Sequence, residues 1–192
     1  MKLNSVLTTL AVATLLTIGA YFTSISTVHA SSDSLPKAAH EDTQTKIARA
    51  MSAGPAEVGA SATIADTDAQ GNLIVLREGS NGFTCMPGRP AIVGDPPKCM
   101  DAAAVQWALD FKAHKPKPTN TVPGIMYMLA GGKEFSDPFD PNSKPIIVGP
   151  HWMIMWPFDP MTTGLPTNDK PTGAYIMWPG SPYAHLHVMG RP

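Results

Sequence analysis

The chain has 192 residues, enough for one domain with a sizeable core, and its 14 basic residues nearly cancel its 15 acidic ones. That balance gives no electrostatic footprint for nucleic acid or for an anionic membrane surface. Charged residues make up only 15% of the chain and prolines number 20, which excludes long solvated helices and favours short elements joined by many turns.

Residues 1–30 read as a signal peptide. Met1-Lys2 precede an uncharged apolar run over residues 6–22, and Val28-His29-Ala30 supplies the −3 and −1 positions that a signal peptidase reads before Ser31. Cleavage there removes 30 of the 192 residues and leaves 162, with 13 basic and 15 acidic residues because Lys2 leaves with the leader. Residues 31–40 are expected to form a flexible mature N-terminus and residues 41–192 a single exported domain. The expected location is periplasmic or secreted, with no membrane span after cleavage.

A short helix is predicted over residues 42–53, where Ile47, Ala50 and Met51 share a stripe, Gly54 supplies a stop and Pro55 prevents continuation. Residues 60–66 and 72–78 then read as a hairpin around "DTDAQGN". That turn partly matches a calcium loop, but the position that should carry a bidentate carboxylate is Arg77, and a cation does not bind arginine. Residues 82–88 suggest a third strand leading to Cys85. In an exported chain an even pair of cysteines reads as a bridge. Cys85 and Cys99 enclose a Pro/Gly-rich loop with neither redox-motif nor zinc-finger spacing, so a structural disulfide is expected.

The second helix is predicted over residues 102–114, with Asp101 as N-cap, an apolar stripe of Ala104, Trp107, Ala108 and Phe111, and Pro116 beyond its end. Four strand candidates follow at 124–129, 151–156, 173–178 and 183–189, separated by Pro/Gly/Asp/Asn loops. The reading is an α+β fold: a single domain with a mostly antiparallel β-sheet, two short helices and one disulfide.

The last strands carry the one unusual pattern. Alternation aims His151, Met153 and Met155 to one side of their strand, and His185, His187 and Met189 to one side of theirs, while Met126 and Met128 oppose Ile125, Tyr127 and Leu129. Thioether and imidazole donors together suit soft metals, copper above all. The candidate ligands are His151, His185, His187, Met153 and Met189. Core packing accounts for the same pattern, because methionine is an adaptable filler. The last hairpin decides the face. Residues 178–181 read as a type II turn, and a loop of residues 179–182 pairs Trp178 with Tyr183 and Ile176 with His185. A loop one residue longer or shorter reverses that pairing.

Other functions leave weaker marks. Trp152, Trp156 and Trp178 offer aromatic surface for a protein partner of a structural envelope domain. The chain has no nucleophile elbow, zincin motif, phosphate-cradling loop or dinucleotide fingerprint, so it leans away from an enzyme. A hydrolase would need an acid–base dyad from distant loops, with Asp137, Asp140 or Asp159 beside a histidine. The segments "NGFTCMPG", "DPPKCMD" and "SPYAHLHV" resemble a group of small exported bacterial proteins with no assigned activity. The likeness runs from about Ile47 onward; it implies a free-standing exported domain and transfers no site residue. The best specific expectation is a non-enzymatic exported domain that binds copper or a small ligand on its His/Met strand face.

Overall fold

The computed structural model describes residues 41–140, 142–167 and 173–192. The expected leader and mature N-terminus therefore lie outside the described residues. Among the described residues no helix is long and apolar enough to cross a membrane.

Helix α1 (Thr43–Met51) starts where Asp42 accepts hydrogen bonds from the backbone N–H of Gln44 (3.1 Å) and Thr45 (3.3 Å). A second helix not expected from the sequence, α2 (Ala56–Ser61), begins directly after Pro55. The segment read as a strand from residue 60 is thus helical first and becomes β1 only over Thr63–Thr67. It pairs with β2 (Leu73–Arg77) in the expected hairpin. Asp68 caps the turn with its carboxylate, accepting from Gln70 N (2.9 Å) and Asn72 N (2.8 Å). Arg77 instead braces α2, donating to the carbonyls of Gly59 (2.7 Å) and Ala62 (2.9 Å).

Strands β3 (Thr84–Met86) and β4 (Lys98–Met100) pair antiparallel with Cys85 directly opposite Cys99, and the two form the disulfide. Both sulfurs lie in a small-residue core with Ala50, Ala53, Ala62 and Ile64, sealed by α1. Gly54 makes that fit, since a Cβ there would sit 3.0 Å from Cys99 Sγ.

Helix α3 (Ala102–Lys112) is fixed to the sheet at its first turn. Asp101 accepts from Ala104 N (2.8 Å) with one carboxylate oxygen and from Ile125 N (2.9 Å) with the other, clamping the helix onto β5 (Gly124–Met128). The approach is so close that a Cβ on Gly124 would fall 2.3 Å from Ala104 N. At the far end, buried Asp110 gathers Lys115 Nζ (2.6 Å), Thr119 Oγ1 (2.7 Å), Thr119 N (2.6 Å) and Gln106 Nε2 (2.8 Å). The Lys115 ammonium, followed by Thr119, holds its carboxyl well below the usual range.

Strands β6 (Gly132–Phe135) and β7 (Pro145–Val148) form a separate two-stranded sheet where the sequence suggested only loops. The remaining elements are β8 (His151–Met155), a one-turn α4 (Pro160–Thr163), β9 (Gly173–Met177) and β10 (His185–Met189). The large sheet runs β2-β1-β3-β4-β5-β8-β10-β9. Among the described residues only the β1–β3 pair is parallel and the helices number four, all short, instead of two, so the expected α+β, mostly antiparallel architecture holds.

The last hairpin corrects the sequence-based pairing. The turn at Trp178–Ser181 forms, with Ser181 N donating to Trp178 O (3.2 Å) and Gly180 at φ +81°. A second turn then follows, Ala184 N donating to Ser181 O (3.1 Å), and His185 pairs with Met177 instead of Ile176.

Two outcomes check this architecture. Gly124→Ala should cost about 1–3 kcal/mol through overpacking at the α3–β5 contact, read by urea unfolding and by weakened near-UV dichroism of Trp107. Reduction of the Cys85–Cys99 bridge should lower unfolding free energy by about 3 kcal/mol for a loop of this length.

Candidate functional site

Strand pairing lays the His/Met pattern out in cross-strand rows on one face. Met126 of β5, Met153 of β8, His187 of β10 and Tyr175 of β9 lie side by side. In the next row Met128, His151, Met189 and Gly173 are neighbours. On the other side Met155 stands opposite Gly124, and His185 opposite Met177. Residues facing each other across adjacent strands share a face, so the register gathers all three sequence-selected histidines on the side that α3 covers. All three are buried, at 0%, 1% and 0% exposure for His151, His185 and His187.

Helix α3 roofs this face with Trp107 and Phe111. Trp107 stacks on Phe111 (5.7 Å between centroids) and meets Tyr183 edge-on at 5.0 Å. Trp178, at the end of β9, lies against Phe111 at 5.2 Å and edge-on to His185 at 4.8 Å. Beneath these rings is a cavity of about 230 Å³, lined by His185 and by Met126, Met128, Met153, Met155 and Met177, with Glu134 also on its wall.

Hydrogen bonding fixes the histidine tautomers. His185 Nδ1 lies 2.9 Å from the Tyr183 carbonyl and His151 Nδ1 lies 2.8 Å from the Gly149 carbonyl. A carbonyl only accepts, so both Nδ1 atoms carry the proton. Burial drives the His185 pKa down to about 4, against the opposing pull of the Tyr183 carbonyl. At neutral pH His185 Nε2 is therefore a lone pair, buried and without a partner among the described residues. That is the state of a metal-ligating imidazole whose other nitrogen is held by a second shell.

His187 has no hydrogen bond at either nitrogen among the described residues, and burial pushes its pKa to about 2. It stacks on His151, with centroids 4.3 Å apart and planes inclined by 20°. Nearly parallel rings carry their in-plane lone pairs side by side, so this pair does not converge on one ion. Among the described residues no three His, Cys, Asp or Glu side chains are grouped to hold a metal ion. Any soft site here has to draw on thioethers. Met153 lines the cavity, whereas Met189 is half-buried beside His151 and is not among its lining.

The sequence reading did not single out Glu134, which β6 places with Oε1 3.6 Å from His151 Nε2. Neither atom has a hydrogen-bond partner among the described residues, and burial raises the Glu134 pKa despite the nearby His151 and Lys98. Nor did it mark Met177 or Trp107 as site residues, and it read Trp178 only as partner surface. Met177 was concealed by the hairpin parity, and the Nε1 atoms of Trp107 and Trp178 are buried without partners among the described residues. Seven of the eight such orphaned side-chain atoms belong to this face or to its covering rings. Each costs about 1–3 kcal/mol in a packed interior, and their concentration in one place makes this face the candidate site.

The other candidates are elsewhere. Asp137 and Asp140 accept from Phe139 N and Asn142 N in an exposed turn, and Asp159 caps α4. Trp152 and Trp156 are half-buried on the opposite face, and Trp178 belongs to the aromatic roof. The large apolar side chains most open to solvent are instead Met161, Ile147, Leu73 and Val122. The chain matches no protein-family model, no curated protein and no solved structure.

Acid sensitivity follows from the buried imidazoles. The pKa values of His185 and His187 in the fold lie below the unfolded value of about 6.5, so unfolded chains take up protons first as pH falls. His185 therefore contributes stability that is complete above pH 6.5 and is lost on descending to about 4, on the order of 3 kcal/mol in all. Urea midpoints measured from pH 7 to 4 should fall through this window, and His185→Gln should flatten the profile.

Proposed function

We propose that this chain is an exported, non-enzymatic domain that binds one soft monovalent metal ion, Cu(I), in the methionine-lined cavity beneath α3. His185 Nε2 is the anchoring ligand, and thioethers of the surrounding methionines complete the shell. The observation that carries the reading is the buried Nε2 lone pair, unpartnered among the described residues, in a cavity whose lining includes five methionines beside Lys98, Glu134 and the covering aromatic rings. Neutral nitrogen and sulfur donors suit Cu(I). A dication would cost about four times as much to desolvate, because the charging energy grows with the square of the charge. Trp107 and Trp178 stand in edge contact with the His185 imidazole, with centroids 5.3 and 4.8 Å away, and hold its ring in place.

The disulfide and the absence of a spanning helix among the described residues are compatible with an exported soluble protein. In that setting the signal peptide over residues 1–30 supplies the route, and the bridge closes after export. One observation favours a second reading: the buried Glu134–His151 pair has the composition of an acid–base dyad, in place of the aspartates the sequence suggested.

Anaerobic titration of the mature domain with Cu(I) against bicinchoninate should show one equivalent bound. His185→Ala should weaken it at least about a hundredfold, and the near-isosteric Met155→Leu and Met177→Leu about tenfold each. Zn(II) should not compete. Absence of stoichiometric Cu(I) binding in the folded wild-type domain removes this reading.

A further inference from the structure

We propose that the groove between α3 and the β1–β3–β4 part of the sheet is a second binding site, for a long-chain carboxylate. Helix α3 reaches fully over β5 but leaves the neighbouring strands only partly covered. The result is a groove of about 620 Å³ with Met86 and Met100 among its lining, within the range ordinary for small-molecule sites. Three separate elements each place one large aliphatic residue along it: Leu73 from β2, Ile92 from the loop after β3, and Leu109 from α3. These are 60%, 51% and 55% exposed. Aliphatic side chains so open to water, facing one concavity from three directions, form a surface that a ligand covers.

The lining states which ligand. It contains no aromatic ring for a flat partner to stack on, and its apolar members are flexible or aliphatic side chains that adapt to a methylene chain. None of the orphaned buried polar atoms belongs to it, so nothing inside asks for a hydrogen-bonding peptide. Charge gives the head group. Arg89, Lys98 and Lys112 line the groove against Asp95 alone. Asp95 accepts from Arg89 Nε at 2.7 Å and from Lys98 Nζ at 3.4 Å, which leaves a cationic surplus. Lys112 has no ion-pair partner among the described residues, and it extends the positive lining along α3. A concave apolar trough with a cationic margin fits a single acyl chain ending in a carboxylate.

The probe is 11-(dansylamino)undecanoate, titrated into the mature domain and followed by dansyl fluorescence. One saturable site is expected, with palmitate displacing the probe and hexadecanol at least about tenfold less effective. Leu73→Glu and Leu109→Glu line this groove and not the His185 cavity, and each should weaken the probe at least about tenfold while leaving the Cu(I) titre unchanged. Leu109→Ser provides a neutral control for the fold, checked by an unchanged urea midpoint. The proposal is overturned by absence of saturable binding, or by binding indifferent to both glutamate variants. Equal displacement by hexadecanol removes the carboxylate from it. Binding only to phosphatidylglycerol vesicles reassigns the surface to a membrane.

Discussion

The placement of the histidines depends on the pairing of His185 with Met177. Side chains alternate along a strand, so a slip of one residue at the end of β9 would send Leu186 and Val188 under α3 and all three candidate β10 ligands to the other face. Two consecutive turns between Trp178 and Ala184 prevent that slip. Trp178 adopts a left-handed backbone at φ +54°, uncommon for a bulky residue. That conformation turns its indole back over the cavity, so the same residue sets the register and roofs the site.

The sheet carries two cores of different character, one on each face. At the β1–β3–β4 end, alanines and the bridged cysteines make a tight small-residue core under α1. At the β5–β8–β10 end, methionines and aromatic rings fill a larger space under α3. Methionine is flexible and polarisable, and packing it around a void gives a soft interior. Asp101 and Gly124 hold the seam. The carboxylate ties the helix start to β5, and the missing Cβ allows backbone contact, so the softness does not spread to the position of the helix.

Much of this was legible in the sequence wherever local chemistry decides the structure. Asp42 and Asp101 announced their helices because a carboxylate satisfies free N–H groups at a helix start wherever it occurs. Alternation in "HWMIMW" and "YAHLHVM" gave strands with distinct faces, and the cysteine pair gave the bridge. What escaped depends on contacts far apart along the chain. The Glu134 segment looks like loop because β6 is only four residues long and its partner lies beyond a Pro/Asp-rich stretch; only pairing with Pro145–Val148 makes it a strand. The hairpin parity turned on a second turn at Ser181–Ala184 with no strong signature beyond serine and proline. The one-turn α4 and the six-residue α2 are too short for periodicity to register.

The small-residue core also dictates an order of assembly. Cys85 and Cys99 have no solvent exposure once α1 is seated, and Gly54 is pressed against one of the sulfurs. An oxidant must therefore reach the thiols while residues 43–54 are still undocked, and the helix afterwards acts as a cork. A chain whose helix settled first would trap a dithiol that no folding catalyst could reach without prising the domain open.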